Sequence, residues 1–250
     1  MTENAAADGI PLVVAHKGAS AYRTGNTRAS FDLAVAQGAD CIELDVQSTA
    51  DGEIVVYDRW YVDGPKQRHA VAELTLADLR RLHVDDAASD GQQLMTLAEV
   101  VAGLRPTRVE VLVELKNSLL RQPQNLGLLV ADELRREGFL DRGLVFSFDH
   151  VLIASMGHSH RIRKGILYVA RLVDLPAVLR ATGAHFVEVR NDFIGQAMVE
   201  ELHAAGRRVC GWSTNDPDEL RRLRDIGVDM VTTDAPDKAR EALALRNPIS

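Results

Sequence analysis

The stretch CIELDVQSTADGEIVVYD, residues 41–58, holds the pattern on which the fold prediction rests. Its first half, CIELDVQST (41–49), is typical of a buried strand. An Asp-Gly pair then marks a hairpin turn into a second short strand, DGEIVVYD. Glu43 and Asp45 stand two residues apart in the first strand, so their side chains face the same side. The stretch therefore predicts a buried strand that carries two carboxylates together.

Strands and helices alternate along the rest of the chain. Further strands are predicted in PLVVAH (11–16), VEVLVELKN (109–117), GLVFSFD (143–149), KGILYV (164–169), HFVEVRN (185–191), RVCGWSTN (208–215) and DMVTTDAP (229–236). Helical patterns, several of them closed by glycine, lie in NTRASFDLAVAQG (26–38), LTLADLRRL (74–82), MTLAEVVAGL (95–104), NLGLLVADELRREG (125–138), VDLPAVLRATG (173–183), QAMVEELHAAG (196–206) and DPDELRRLRDIG (216–227). Eight strands in this alternation, with no low-complexity linker, predict an α/β fold: a single (β/α)8 TIM barrel over residues 10–240. The hairpin and helices at 51–104 exceed a simple βα unit and predict a small insertion after strand two, near the barrel mouth.

Composition narrows the class of protein. A formal charge of −7 and a pI near 5.6 argue against a nucleic-acid partner, because phosphate affinity needs clustered Lys and Arg. A small anionic substrate remains compatible, since it responds to the local field of a cleft. No signal peptide and no transmembrane segment are recognisable, so we expect a cytoplasmic protein. Cys41 and Cys210 lie in apolar runs and are expected as buried thiols. Nothing in the sequence indicates an oligomeric state.

Polar residues at strand ends are the candidates for chemistry, because active sites of such barrels lie where the C-terminal ends of the strands meet the loops. They are His16 and Lys17 after strand one, Glu43 and Asp45 on strand two, Asp58 after the hairpin, Glu114 and Lys116 on strand three, Trp212 and Asn215 on strand seven, and Asp234 on strand eight. Beside carboxylates and a lysine, His16 is interpreted as a general acid/base. Five other histidines are expected mostly at the surface: His83, His150, His158, His160 and His203.

Glu43, Asp45 and Glu114 should converge inside the barrel mouth. Three carboxylates held together repel one another unless they are compensated. A divalent cation, Mg²⁺ or Ca²⁺, is one solution, because both prefer carboxylate oxygen. Ion pairs with Lys17 and Lys116 are the other. The residue pattern leaves both alternatives open.

Two motifs resemble those of the glycerophosphodiester phosphodiesterase family, a TIM-barrel superfamily. The family's opening motif, A-H-R-G followed by P-E-N-T, is similar to Ala-His-Lys-Gly at 15–18 and Thr-Gly-Asn-Thr at 24–27. Its second motif, G-A-D-x-I-E-L-D-V-Q-x-T-x-D-G, matches residues 38–52 almost letter for letter. Weaker similarity continues from residue 12 to residue 237.

The resemblance implies a metal-dependent phosphoric diester hydrolase that acts on a small phosphorylated substrate, a glycerophosphodiester or a related phospholipid-derived ester. Attack of the neighbouring glycerol hydroxyl on phosphorus is the mechanism usually drawn for the family. Carried over residue by residue, the resemblance makes His16 an acid/base, Glu43, Asp45 and Glu114 ligands of a divalent cation, and Lys17, Lys116 and Trp212 substrate-binding residues.

Departures from the family pattern fall on catalytic positions. Gly25 stands where the family has a metal-binding glutamate, and Lys17 stands where it has arginine, so the bidentate fork for phosphate is lost. The family's second catalytic histidine falls on Asp58, or on Tyr57 if one residue is skipped. Asp58 could replace that histidine only with a raised pKa, because an ordinary aspartate is a poor general acid at neutral pH.

Three functional hypotheses follow from these residues. The first is a divergent metal-dependent phosphoric diester hydrolase. The second is a lyase or cyclase that handles a phosphate or diphosphate ester at the same site. The third is a pseudoenzyme that binds a phosphorylated ligand. They differ in whether a cation binds and whether phosphorus is attacked.

Overall fold

A computed structural model describes residues 9–64, 66–84, 91–116, 123–157 and 161–244. Eight parallel strands form a closed barrel with helices between them, which confirms the predicted TIM barrel. Among the described residues, no helix is long and apolar enough to cross a membrane.

The strands follow the predicted order. They are β1 (Leu12–Ala15), β2 (Cys41–Ser48), β3 (Ile54–Val56), β4 (Tyr61–Asp63), β5 (Arg68–Ala70), β6 (Glu110–Leu115), β7 (Gly143–Ser147), β8 (Arg163–Tyr168), β9 (Phe186–Arg190), β10 (Arg208–Trp212) and β11 (Met230–Thr233). Strand β1 closes the barrel, because it pairs in parallel with both β11 and β2. Strand β3 is antiparallel to β2, as the predicted hairpin requires.

Helices connect the barrel strands. They are α1 (Arg28–Ala36), α2 (Leu76–Val84), α3 (Leu97–Leu104), α4 (Leu126–Arg136), α5 (His150–Ser155), α6 (Leu175–Thr182), α7 (Gln196–Ala204), α8 (Pro217–Asp225) and α9 (Pro236–Ala244). Helix α1 begins with a capping box between Thr27 and Ser30, which fixes the loop that carries the first motif. Helices α5 and α9 are absent from the sequence prediction.

The insertion after β2 has a small core of its own, built around Val55, Tyr57, Val62 and Leu79. It contains the antiparallel pair β4–β5, which the sequence analysis did not anticipate, and α2. Helix α3, assigned to the insertion from the sequence, packs instead in the main core between barrel and helices. The barrel's own β6 follows.

The barrel sheet has an apolar layer on each face, because alternate side chains of a strand face opposite sides of the sheet. One layer joins the strands to the helices. The other contains strand residues alone, among them Val14, Cys41, Phe186, Cys210 and Met230, and fills the lower barrel interior. Side chains further along the same strands and on the same side therefore lie toward the barrel mouth, above this apolar floor.

Candidate active site

The residues at the mouth lie on the same side of their strands as the apolar residues of the barrel interior, because side chains two positions apart face the same side. His16 is two positions after Val14 of β1, and Asp234 is two positions after Thr232 and four after Met230 of β11. Because β1 and β11 pair in register, these two rows end side by side.

His16 and Asp234 are in direct contact. Nδ1 of His16 lies 2.7 Å from Oδ1 of Asp234, which also accepts a hydrogen bond from Ser20 Oγ at 2.9 Å. Asn215 Nδ2 donates to the other carboxylate oxygen at 3.0 Å. The hydrogen bond from His16 outweighs burial and lowers the pKa of Asp234 to about 2. With Nδ1 engaged by a carboxylate, Nε2 is the ring nitrogen left for a substrate.

Glu43, Asp45 and Glu114 converge as predicted, with one carboxylate oxygen of each lying within 4.8 Å of the others. Their side chains are buried at the ends of β2 and β6, which are paired in register. Three buried carboxylates at this separation fit a hard divalent cation, whose ligands are oxygen atoms.

Two lysines also pair with this cluster. Lys116 Nζ lies 2.9 Å from Asp45 Oδ1 and 2.8 Å from Glu114 Oε1, and Lys17 Nζ lies 3.6 Å from Asp45 Oδ2. The contact between Lys116 and Asp45 is an ion pair without hydrogen-bond geometry, so Oδ1 has no hydrogen-bond donor among the described residues. Asn26 donates to Oδ2 at 2.8 Å. The two alternatives for the cluster, cation binding and lysine pairing, thus involve the same oxygens.

The pKa values of the carboxylates diverge. Burial, reinforced by the charges of Asp45 and Glu114, raises the pKa of Glu43 well above its ordinary value. Burial and Asp45 likewise raise the pKa of Glu114. Burial also opposes ionisation of Asp45, but the ammonium groups of Lys116 and Lys17 outweigh it and lower the pKa. Below them, burial raises the pKa of Glu188 to about 8. Asp45 is therefore the carboxylate that carries charge most readily.

An unusual backbone conformation places the Lys17 side chain. Its φ of 55° is left-handed, and its N–H donates to Glu43 Oε2 at 2.9 Å. The side chain runs past Gly25: a Cβ atom at that position would lie 2.9 Å from Lys17 Cβ and 3.4 Å from its Cδ. Lys17 thus occupies space beside the position where the family has glutamate.

Asp58, not Tyr57, faces the mouth. Lys17 Nζ donates to Asp58 Oδ2 at 2.8 Å, whereas Tyr57 is buried in the insertion with its ring edge-on to His83. Gln47 Nε2 donates to the carbonyls of Tyr57 and Arg59, each at 2.8 Å, and so fixes the loop around Asp58. The alignment without a skipped residue, which assigns Asp58 to the position of the family's second histidine, therefore agrees with the structure.

A cavity of about 430 Å³ connects several of these residues, and its lining includes His16, Lys17, Gly25, Asp58, Arg59 and Asp234. A small phosphorylated molecule would meet a histidine, cations and carboxylates there.

Trp212 lies outside that cavity. It lines a neighbouring one of about 760 Å³ and packs edge-on against Phe148, with ring centroids 6.0 Å apart. Sequence reasoning gave no role to Asn26, Gln47 or Ser20. Asn26 and Gln47 each lie in a motif shared with the family, which was the one signal for them, whereas the contact of Ser20 with Asp234 joins residues distant in sequence.

The remaining histidines differ in environment. His83 is buried, in contrast to the expectation of a surface residue. His150 lies near the carbonyl of Leu167, and His203 pairs with Asp229 at 2.9 Å. His158 and His160 lie outside the described residues.

Comparisons with known proteins agree with the geometry. A model of the glycerophosphoryl diester phosphodiesterase family matches residues 16–238. The Bacillus subtilis (strain 168) protein YhdW is 30% identical over 238 residues, covering 90% of this chain and 95% of that protein. A glycerophosphodiester phosphodiesterase from Caldanaerobacter subterraneus subsp. tengcongensis is 28% identical over 231 residues, with the same coverage of 90% and 95%.

Solved structures share the fold. A phosphodiesterase from Oleispira antarctica, in complex with the product sn-glycerol-3-phosphate, has a TM-score of 0.84 at 24% identity and covers 94% of this chain. The alignment spans 98% of that chain. The structural likeness by itself shows the common barrel.

Fold and mouth residues together define a class, the TIM-barrel phosphoric diester hydrolases. Within that class, the chain belongs to the glycerophosphoryl diester phosphodiesterase family. This confirms the resemblance read from the two sequence motifs, and the predicted enzyme class is that of the named relatives.

Proposed function

We propose that the protein hydrolyses phosphodiesters of glycerol to an alcohol and a glycerol phosphate, with His16 as acid/base. The observation that carries the proposal is the His16–Asp234 pair beside the 430 Å³ cavity, because it orients an imidazole toward the space where a phosphate fits. The relatives' names and the glycerol phosphate in the Oleispira antarctica structure support the same reaction.

His16 handles the proton of the reaction. When water attacks phosphorus directly, Nε2 accepts its proton and the alcohol leaves. When the neighbouring glycerol hydroxyl attacks instead, Nε2 accepts the hydroxyl proton, the alcohol leaves and a cyclic glycerol phosphate forms, which water then opens to glycerol phosphate in a second displacement. The imidazolium then returns a proton to a departing oxygen, and the carboxylate of Asp234 stabilises the charged ring between the two steps. Asp58, across the cavity, is proposed as a weaker second acid/base in place of the family's histidine, because a carboxyl group is a poorer general acid than an imidazole at neutral pH.

Glu43, Asp45 and Glu114 would hold a divalent cation, Mg²⁺ or Ca²⁺. When bound, such an ion supplies positive charge to the phosphoryl oxygens. Lys17 and Lys116 are proposed as substrate-binding residues, because their ammonium groups already lie at the mouth and can exchange a carboxylate for a phosphate oxygen. Trp212 is proposed to contact the part of the substrate beyond phosphorus.

We further propose a cytoplasmic enzyme of phospholipid-derived ester metabolism. Cys41 and Cys210 are both unpaired thiols, which suits a reducing compartment. Cell fractionation with an antibody against the protein checks the location.

The test of function is release of sn-glycerol 3-phosphate from a panel of glycerophosphodiesters, with Mg²⁺ or Ca²⁺ supplied. We expect turnover that is weak on glycerophosphocholine relative to a family member with both histidines. One of two acid/base groups is replaced, and such a group typically contributes about 10²–10⁴-fold. A cyclic phosphate as the final product would instead favour the cyclase hypothesis, and binding without turnover on any ester would favour the pseudoenzyme.

A further inference from the structure

The barrel mouth has two halves of different chemistry. Strands β6, β2, β1 and β11 are consecutive around the barrel. Each of them brings a charged or polar side chain to the mouth, and these side chains make the contacts described above. They are Lys116, Asp45, His16 and Asp234. This half of the mouth holds the groups that act on phosphorus.

The other half of the mouth is largely apolar. The apolar layer inside the barrel includes Phe146 of β7, Leu167 of β8 and Cys210 of β10. Because side chains two positions apart face the same side, the next inward-facing residues on these strands are Phe148, Val169 and Trp212. We call these three residues the apolar wall.

An aromatic contact joins the two ends of the apolar wall. The rings of Phe148 and Trp212 meet edge-on, with centroids 6.0 Å apart, although β8 and β9 lie between their strands. Phe148 therefore extends over the mouth toward β10. Val169 follows β8, one of the two strands between them.

The apolar wall is open to solvent. Phe148 is 49% exposed and Val169 is 46% exposed, and Val173, in the same loop as Val169, is fully exposed. Adjoining apolar side chains that stay exposed in this way are typical of a binding surface. In the part of the chain that the structure describes, no other segment covers them.

The apolar wall lies within reach of a substrate bound at His16. Only β11 separates β10 from β1, so at roughly 4.8 Å per strand the strand ends that carry Trp212 and His16 are about 10 Å apart. With phosphorus beside His16, the glycerol unit of a diester covers most of that distance. A group attached to this glycerol would then contact the apolar wall.

The side chains of the wall select a hydrocarbon over a charged or hydroxylated group. Valine offers no hydrogen bond and no favourable field for an ammonium ion, and the carboxylates next to the wall in sequence already accept hydrogen bonds. Asp149 accepts from the N–H groups at the start of α5, Asp174 from that of Ala177, and Asp192 from Arg190. A hydrocarbon chain is favoured, because its methylene groups and the exposed apolar side chains leave water together.

We propose that the apolar wall binds a hydrocarbon chain of the substrate, so that the preferred substrate is a glycerophosphodiester that keeps one acyl chain. Esterification of the terminal hydroxyl leaves the neighbouring glycerol hydroxyl free to attack phosphorus, so either route of the proposed reaction is open to this substrate. The products are the leaving alcohol and an acylated glycerol phosphate. The proposal rests on the proposed function, since phosphorus must lie beside His16 for the chain to reach the wall.

The test uses two soluble esters that differ only in the chain: glycerophosphocholine and its 1-hexanoyl derivative, kept below the concentration at which it aggregates. One methylene group removed from water contributes up to about fourfold. We therefore expect wild-type kcat/KM to be roughly tenfold or more higher for the hexanoyl ester. Phe148→Ser and Val169→Ser, on different strands, should each lower kcat/KM for the hexanoyl ester several-fold more than for glycerophosphocholine.

Val151→Ser is the matched control. Val151 is also an exposed apolar residue, but it belongs to helix α5 and lies outside the inward-facing rows of the strands. Its substitution should change kcat/KM for neither ester. A loss on the hexanoyl ester as large as that in Phe148→Ser would attribute the preference to general surface hydrophobicity and overturn the proposal.

Other results would overturn the proposal while leaving the diesterase activity intact. Equal kcat/KM for the two esters in the wild type, or equal losses on both in Phe148→Ser, would show that the wall binds no chain. Without a chain preference, co-sedimentation with phosphatidylcholine vesicles that Phe148→Ser abolishes would assign the wall to a bilayer. A dimer that Phe148→Ser dissociates in light scattering would assign it to a second copy of the chain.

Failure of the proposed function gives a different result. If neither ester is hydrolysed, saturation-transfer NMR with the hexanoyl ester tests the wall by itself. A signal from the chain methylenes that is lost in Phe148→Ser and kept in Val151→Ser supports the proposal. No signal in the wild type, or a signal unchanged in Phe148→Ser, overturns it.

Discussion

Nδ1 of His16 and Oδ1 of Asp234 lie 2.7 Å apart, although 218 positions separate them along the chain. The register between β1 and β11 pairs Ala15 with Thr233, so the next residue of each strand is brought to the same edge. The contact is a direct product of barrel closure. It fixes the imidazole before any substrate arrives.

We expect His16→Ala to reduce kcat by about 10²–10⁴-fold, the usual contribution of a positioned acid/base group. The fold should persist, because the side chain lies at the mouth, where it is 30% exposed. Steady-state kinetics and urea unfolding measure the two effects. A loss of several kcal/mol in the free energy of unfolding would identify a structural histidine and contradict the catalytic role.

Asp234→Asn should lower kcat while leaving KM nearly unchanged, because Asp234 is proposed to orient His16 and not to bind the substrate. The loss should be smaller than for His16→Ala. Asp234→Glu is the conservative rescue, and partial recovery of kcat is expected. A rise in KM with constant kcat would indicate a substrate-binding role instead.

The free energy of unfolding should depend on pH in acid through Asp234. Its pKa is lowered from 3.8 to about 2 in the folded protein, so the carboxylate stabilises the fold above pH 4 and loses this contribution as the pH falls toward 2. Urea unfolding of wild type and Asp234→Asn across this window measures it. The difference between the two proteins should shrink toward pH 2, and a constant difference would contradict the assignment.

Asp58→His tests the missing histidine. We expect phosphodiesterase activity to rise by roughly tenfold or more, since a positioned acid/base group is restored. Asp63→His is the control, because Asp63 is an exposed residue of β4 that pairs with Arg68 away from the cavity. If Asp58→His destroys an existing activity, Asp58 has a catalytic role that histidine cannot take over, and the hypothesis of altered chemistry at this site gains support.

Calorimetric titration should detect a divalent cation that Glu43→Gln abolishes. Lys17→Met should tighten binding several-fold, because an ammonium group 3.6 Å from Asp45 competes with the ion. Asp63→Asn should leave the titration unchanged. If the wild type binds no Mg²⁺, Ca²⁺ or Mn²⁺ at millimolar concentration, lysine pairing is the better account of the cluster.

Eight barrel strands were predictable because each carries a run of buried residues with its polar residues at the C-terminal end. The carboxylate cluster followed from the same pattern, since residues two apart share a face. Helix α5 was missed because six residues are too few for a 3.6-residue period to stand out. Strands β4 and β5 were missed because three residues are too few to show the alternation of a strand.

The lysine contacts were named only as an alternative, because they depend on geometry that no local pattern encodes. Lys17 reaches Asp45 and Asp58 because its backbone is left-handed, a conformation uncommon for lysine. The role of Asp234 needed the pairing of the first strand with the last. Trp212 was predicted as a substrate-binding residue, and its position in a separate cavity depends on the loops after β9 and β10.

The close approach of Gly25 to Lys17 limits how the family's glutamate could be restored by mutagenesis. A Cβ atom at position 25 would lie 2.9 Å from the Cβ of Lys17, an atom that arginine also has. Exchanging side chains alone therefore cannot relieve the contact. A carboxylate at this position requires a different backbone path between β1 and α1, so the conformation of this loop limits the number of carboxylates at the mouth.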